Sequence, residues 1–287
     1  MHPAIESMVK RYNCKTAVDY KNALKEIMQE IALLGLYRQN FFHSTSFYGE
    51  TALRVAHQLG RFSEDLDFTL DEPDPTFNLE RYLKGIEDEF TSFGLKLSAE
   101  KKVKTSHTGV DSAFLKANTI EHLLMIEGLN AARGGINKND LIKIKLEVDT
   151  NPPRPAGQTE VLYLLKPIPF SFRTLTLPSL FGGKLHAILC REYQGERIKG
   201  RDYYDFVWYV ARKVRPDLNY LRGKLCESGA WREDEDLTMA DLKVLLTKKV
   251  ETIDWENAKL DVNPFIKDSR ELDLWSTRFF LALINRL

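Results

Sequence analysis

The chain has 287 residues and a mass of 33.1 kDa, enough for one large domain or two packed lobes. Hydrophobic residues make up 43% and charged residues 29%, which excludes disordered and collagen-like classes. Lys+Arg and Asp+Glu balance at 41 each, which excludes a uniformly basic coat for nucleic acid and leaves room for a local patch. No apolar run approaches the roughly 20 residues that span a bilayer, so no membrane association is expected. The opening Met1–Glu6 has no charged stretch leading into an apolar one, and Cys14, Cys190 and Cys226 are too scattered for a disulfide frame or a zinc knuckle. A cytoplasmic, reduced protein is expected.

In chain order, Ala23, Leu24, Ile27, Ile31 and Leu34 recur at helical spacing and predict a helix over 19–35, stopped by Gly35. Phe41 to Tyr48 reads as extended, Gly49-Glu50-Thr51 as a break, and Ala52 to Leu59 as a helix ending at Gly60. Asp65 to Leu70 alternates polar and apolar, the pattern of a half-buried strand. A turn over 71–75 and a helix over 79–94 follow, then a lysine-rich strand over 95–105. Thr119 to Gly128 is a strand or a short helix; a turn at 134–139 precedes a second alternating strand, Ile142 to Val148. Three prolines between Asn151 and Pro155 punctuate the chain, and helices are predicted over 180–193, 203–214, 239–249 and 272–287. The expected fold class is α+β: a mixed-sheet α/β lobe over 1–170, and a helical lobe over 171–287. A cleft between two lobes is the natural place for a site.

The strongest local feature is Gly49-Glu50-Thr51-Ala52-Leu53-Arg54 followed by Arg61-Phe62-Ser63-Glu64-Asp65-Leu66-Asp67-Phe68. On a strand, Asp65 and Asp67 share one face while Leu66 and Phe68 point to the core. Two carboxylates about 7 Å apart suit one or two hard divalent ions. A glycine turn opening a helix at Thr51 offers backbone N–H groups to a phosphate. Alone, an Asp-x-Asp also suits the solvated face of an edge strand. In Lys143 to Asp149, Lys145, Glu147 and Asp149 share the polar face; Glu147 or Asp149 could supply a third carboxylate, although an ordinary amphipathic strand reads the same way. Lys184 and Arg191, seven residues apart, share a helix face and could grip phosphates as point charge and fork, or form a solvated cationic face. Lys199-Gly200-Arg201-Asp202-Tyr203-Tyr204-Asp205 runs into a helix with Asp202 and Asp205 on one face. His43, His57, His107, His122 and His186 show no ligand spacing, and no P-loop or Gly-x-Ser-x-Gly occurs. The runs Lys96–Lys104 and Arg212–Arg215 are candidate polyanion contacts or plain solvated faces.

In this order and register, the motifs at Gly49…Arg54, Arg61…Phe68, Lys145-Leu146-Glu147, Lys184…Arg191 and Gly200-Arg201-Asp202…Asp205 resemble the AbiEii/AbiGii-type nucleotidyltransferase family. Its members include toxins of type IV toxin–antitoxin and abortive-infection (phage-defence) systems. The resemblance covers roughly residues 40 to 210. It implies a polymerase-β-type core with a helical C-terminal lobe, and transfer of a nucleotide from a nucleoside triphosphate to an acceptor, such as the 3′ end of tRNA. By position it implies Asp65, Asp67 and Glu147 (or Asp149) as ligands of Mg²⁺ or Mn²⁺. It implies nucleotide contacts from Gly49, Thr51, Arg54, Ser63, Lys184 and Arg191, a catalytic role for Lys184 and Asp202, and a cognate antitoxin as partner. The family commonly has two glycines where this chain has Gly49-Glu50, and an acidic side chain there repels a triphosphate unless it points away or meets the metal. A catalytically silent nucleotide- or RNA-binding module and a metal-dependent nuclease are the competing expectations.

Overall fold

The structure, a computed structural model, describes residues 2–101, 119–127, 142–192 and 198–287. The expectations for Lys102–Lys104, His107 and the turn at 134–139 lie outside the described residues. The chain divides into two compact units. One is Met1–Gln58, Phe62–Pro152 and Thr159–Thr174, and the other is Leu59–Arg61, Pro153–Gln158 and Leu175–Leu287. The fold class is α+β, with the strands in the first unit and a mainly helical second unit.

In the first unit α1 (Pro3–Lys10) precedes α2 (Ala17–Arg38), which starts on a reciprocal capping box between Thr16 and Asp19. The predicted stop at Gly35 is corrected: the helix runs on to Arg38. Gly35 is a packing position, since a Cβ there would fall 2.6 Å from the Ile86 Cα of the next long helix. Phe41–His43 forms a 3₁₀ turn, so only Thr45–Tyr48 (β1) of the expected extended stretch is a strand. The next helix, α3, spans Gly49–His57, two residues earlier than Thr51, and ends where Gln58 turns left-handed. Then come β2 (Leu66–Leu70), α4 (Glu80–Ser92), β3 (Lys96–Lys101), β4 (Thr119–Glu127) and β5 (Ile142–Asp149). Two further strands, β6 (Thr159–Leu164) and β7 (Phe170–Leu175), occupy a stretch where the prolines suggest only a boundary.

The seven strands form one mixed sheet in the order β3-β4-β5-β2-β1-β7-β6. β2 is antiparallel to β1 and parallel to β5, placing Asp67 opposite both Tyr48 and Glu147. The strands bury the apolar half of each alternation: Leu66 and Phe68 on β2, and Ile144, Leu146 and Val148 on β5, join Leu24, Ile27, Ile31, Phe41 and Phe47 in one core. The polar half of each strand is thereby held on the other face.

The second unit contains α5 (Leu177–Cys190), α6 (Gly200–Ala211), α7 (Leu218–Glu227), α8 (Met239–Val250), α9 (Trp255–Val262) and α10 (Thr277–Ile284). The helix expected over 272–287 is corrected to a 3₁₀ turn at Ser269–Leu272 and then α10, because Ser276 caps Phe279 and starts the helix afresh. Its core holds the rings of Tyr203, Trp255, Trp275 and Phe280, with Trp255 and Phe280 stacked at 4.1 Å. Among the described residues no helix is long and apolar enough to cross a membrane.

Candidate active site

At the end of β1 the chain turns through Gly49 at φ +78°, a conformation that favours glycine. The turn carries the backbone directly over Asp67: a Cβ at position 49 would lie 2.5 Å from Asp67 Oδ2. The start of α3, with the partial positive charge of its N–H groups, therefore stands against this carboxylate. Thr51, one turn into α3, is buried. Its hydroxyl meets Ser63 Oγ at 2.9 Å and also reaches the carbonyl oxygen of Asp65. Gln29 of α2 donates to the Ser63 carbonyl at 3.3 Å, and Lys25 pairs with Glu64 at 2.9 Å. The segment leading into Asp65 is thus tied at three successive residues. Arg54 is bound to Glu26, Nε to Oε2 at 2.7 Å, and its guanidinium lies 4.7 Å from the centre of the Phe62 ring.

Parallel pairing of β2 with β5 brings Glu147 beside Asp67, and the two carboxyl groups are hydrogen bonded. Asp67 is pushed well above the usual carboxylate range, first by burial, then by Glu147, Asp65 and Glu50. Asp65 is also raised, chiefly by burial; Lys145 and Lys25 oppose the rise, while Glu64 and Glu50 add to it. Lys145 is ion-paired with Glu147. Asp149, the alternative third carboxylate, lies opposite Thr69 rather than Asp67 and accepts from the Asn151 N–H at 3.0 Å. Asp65 lies just before β2 rather than on the expected strand, while Asp67 and Glu147 lie on paired strands; all three carboxyl groups are hard oxygen donors, and their chemistry fits Mg²⁺ or Mn²⁺.

The second unit has its own charged cluster. Lys184 on α5 reaches Asp202 Oδ1 and Asp205 Oδ2 of α6, both at 2.8 Å, and Arg191 at the end of α5 pairs with Asp202 Oδ2. The expected shared helix face of Lys184 and Arg191 is corrected: Arg191 lies just past the end of α5 in extended backbone, and both side chains nevertheless reach Asp202. Arg61 grips Asp205 with two bonds of 2.7 Å, and both side chains are 0% exposed. Gly200 allows α6 to touch α9, since a Cβ there would lie 1.8 Å from the Ala258 carbonyl oxygen. Arg201 turns to Asp261 at 3.3 Å.

Sequence reasoning assigned no task to Arg61, Lys25, Gln29 or Lys145. The only signal for Arg61 is its place just before the Phe62–Asp67 run. A cavity of about 680 Å³ in the first unit, lined by Tyr37, Phe42, Tyr82 and Arg173 among others, contains none of the sequence-predicted site residues. Arg212, in the second basic run, packs its guanidinium 4.0 Å from the Trp208 ring.

Two solved structures are similar. A candidate nucleotidyltransferase from H. pylori shares 18% identity, with 90% of each chain covered and a TM-score of 0.49. JHP933 from Helicobacter pylori shares 18% identity, with 90% of this chain and 88% of that chain covered, and a TM-score of 0.49. No curated protein matches. The model of the nucleotidyl transferase AbiEii toxins of type IV toxin–antitoxin systems matches residues 31–282, most of the chain, and the chain therefore belongs to that family of nucleotidyltransferases.

Proposed function

We propose that this nucleotidyltransferase depends on Mg²⁺ or Mn²⁺ and moves a nucleotide from a nucleoside triphosphate onto RNA, with the 3′ end of tRNA as the favoured acceptor. The observation that carries the reading is the pairing of Asp67 with Glu147 across two strands beside the Gly49 turn, with Asp65 two residues before Asp67. The acceptor hydroxyl oxygen forms a bond to the α-phosphorus as the bond to pyrophosphate breaks. A divalent ion held by Asp65, Asp67 and Glu147 would neutralise phosphate charge and favour the alkoxide of the acceptor. Gly49 leaves the backbone open beside Asp67. Thr51 and Ser63 orient Asp65 through the loop, and Arg54 fixes α3 through Glu26 and Phe62. In the second unit Lys184 and Arg191 are the cations proposed for phosphate oxygens, with Asp202 and Asp205 holding the lysine in place. As a toxin of a type IV or phage-defence system, the protein would act alongside a cognate antitoxin.

Purified protein incubated with total RNA, Mg²⁺ and each α-labelled nucleoside triphosphate in turn tests this, beside an Asp65→Ala/Asp67→Ala control. Label in RNA with wild type alone supports the reading and names the nucleotide; equal labelling by the double variant overturns it. Label in the protein band redirects it to a protein acceptor. A second reading, a binding module without turnover, is favoured by one observation: Glu50 adds its negative charge to both Asp65 and Asp67. That module would bind triphosphate without releasing pyrophosphate, and Glu50→Gly would restore release.

A further inference from the structure

Lys145 has no part in the reaction as described above. It lies two residues before Glu147 on the same face of β5, where Lys143 is exposed. Lys145 is drawn down to 31% exposure and its ammonium group pairs with Glu147 Oε1. Glu147 lies opposite Asp67 on the paired strand, so the ammonium group holds an oxygen that the divalent ion of the proposed reaction would need.

We infer that Lys145 is the resident counter-cation of the Asp65–Asp67–Glu147 set, that it competes with the divalent ion for Glu147, and that entry of the ion displaces it towards the triphosphate. The inference rests on the metal-dependent reading proposed above. A positive charge fixed at the ligands weakens capture of a cation by the free protein. Once displaced, the ammonium group remains on the same strand face beside the bound nucleotide and meets phosphate oxygen as a point charge. Lys145 thus opposes the ion and favours the nucleotide, so its removal moves the two affinities in opposite directions. Loss of a merely structural contact does not do that.

The experiment is a titration of the full chain with Mn²⁺, followed by the electron paramagnetic resonance signal of the free ion. A separate titration with a non-hydrolysable triphosphate analogue follows at saturating Mn²⁺. In Lys145→Met, Mn²⁺ alone is expected to bind on the order of tenfold tighter. The analogue is expected to bind several-fold weaker, and Lys145→Arg to stay close to wild type in both. Unchanged or weaker Mn²⁺ binding by a folded Lys145→Met overturns the inference and leaves metal dependence standing. If wild type binds no more Mn²⁺ than Asp67→Asn, the inference and the metal-dependent reading fall together. Should Lys145→Met fail to fold, Lys145→Gln decides by the same criteria.

Discussion

Gly49 and Asp67 are fitted to each other: the backbone of one occupies the space in which any side chain would meet Oδ2 of the other at 2.5 Å. Two independent constraints fall on the same residue, because φ at Gly49 is +78°. Gly49→Ala is expected to cost about 1–2 kcal/mol of stability through backbone strain. It is also expected to shift the Asp67 carboxylate, for which a misplacement of about 1 Å costs roughly 10²-fold in rate. Thermal melting and nucleotide incorporation measured on the same preparation check both. Full incorporation with lowered melting would show that the contact is structural only.

Asp67 should reveal opposed demands of stability and chemistry. Its ionised form is disfavoured in the metal-free fold by burial and by Glu147, Asp65 and Glu50. Asp67→Asn removes the ionisable carboxyl on which those charges act. The variant is expected to melt higher than wild type at pH 8 without divalent ions, and to lose transfer by roughly 10²–10³-fold. Added Mn²⁺ should raise the melting temperature of wild type and leave the variant unmoved, and a chelator should reverse the wild-type effect. A variant less stable than wild type at pH 8 would count against mutual repulsion in the set.

The strands bearing these carboxylates are readable in the sequence because strands declare themselves by alternation. Leu66 and Phe68 on β2, and Ile144, Leu146 and Val148 on β5, mark one face as core and assign the other face by elimination. Their partnership is not readable: the parallel pairing of Asp67 with Glu147 joins residues far apart in the chain, and no local pattern encodes it. Burial of charge is hidden for a related reason. Nothing local marks Arg61 as buried, since charged side chains are almost never fully buried unless paired, and the pair is with Asp205, distant in sequence. The prolines from Pro152 onward mask β6 and β7, because proline signals a break more loudly than a six-residue strand signals itself. The family resemblance implies Thr51 and Ser63 as nucleotide contacts. In the fold their hydroxyls face each other, a relation that depends on how the loop closes.

The Arg61–Asp205 pair makes a quantitative demand on the second unit. Both side chains are fully enclosed and joined by two bonds of 2.7 Å. Arg61→Leu leaves Asp205 with Lys184 alone and is expected to cost about 3–5 kcal/mol. Asp205→Asn leaves Arg61 buried with weaker acceptors and is expected to cost a similar amount. Urea unfolding of each variant checks this. Because both variants disrupt one pair, the double variant should cost clearly less than the two single costs added together.

Glu30 gives the pH dependence of the first unit a definite sign. It is buried on α2, its Oε2 has no hydrogen-bond partner among the described residues, and burial pushes its carboxyl up to about 8, against the pull of Lys166 and with the push of Glu26. The folded pKa is raised above the unfolded one. The protonated form is therefore the one the fold accommodates, and stability present below about pH 4.5 is lost as pH rises towards 8. Glu30→Gln keeps the shape and removes the titration. The variant should gain on the order of 2 kcal/mol over wild type at pH 8.5 and little at pH 5. Chemical denaturation of both proteins at the two pH values measures the difference. A gain that is the same at both values would mean that Glu30 is already ionised in the fold, with a cation nearer to it than Lys166.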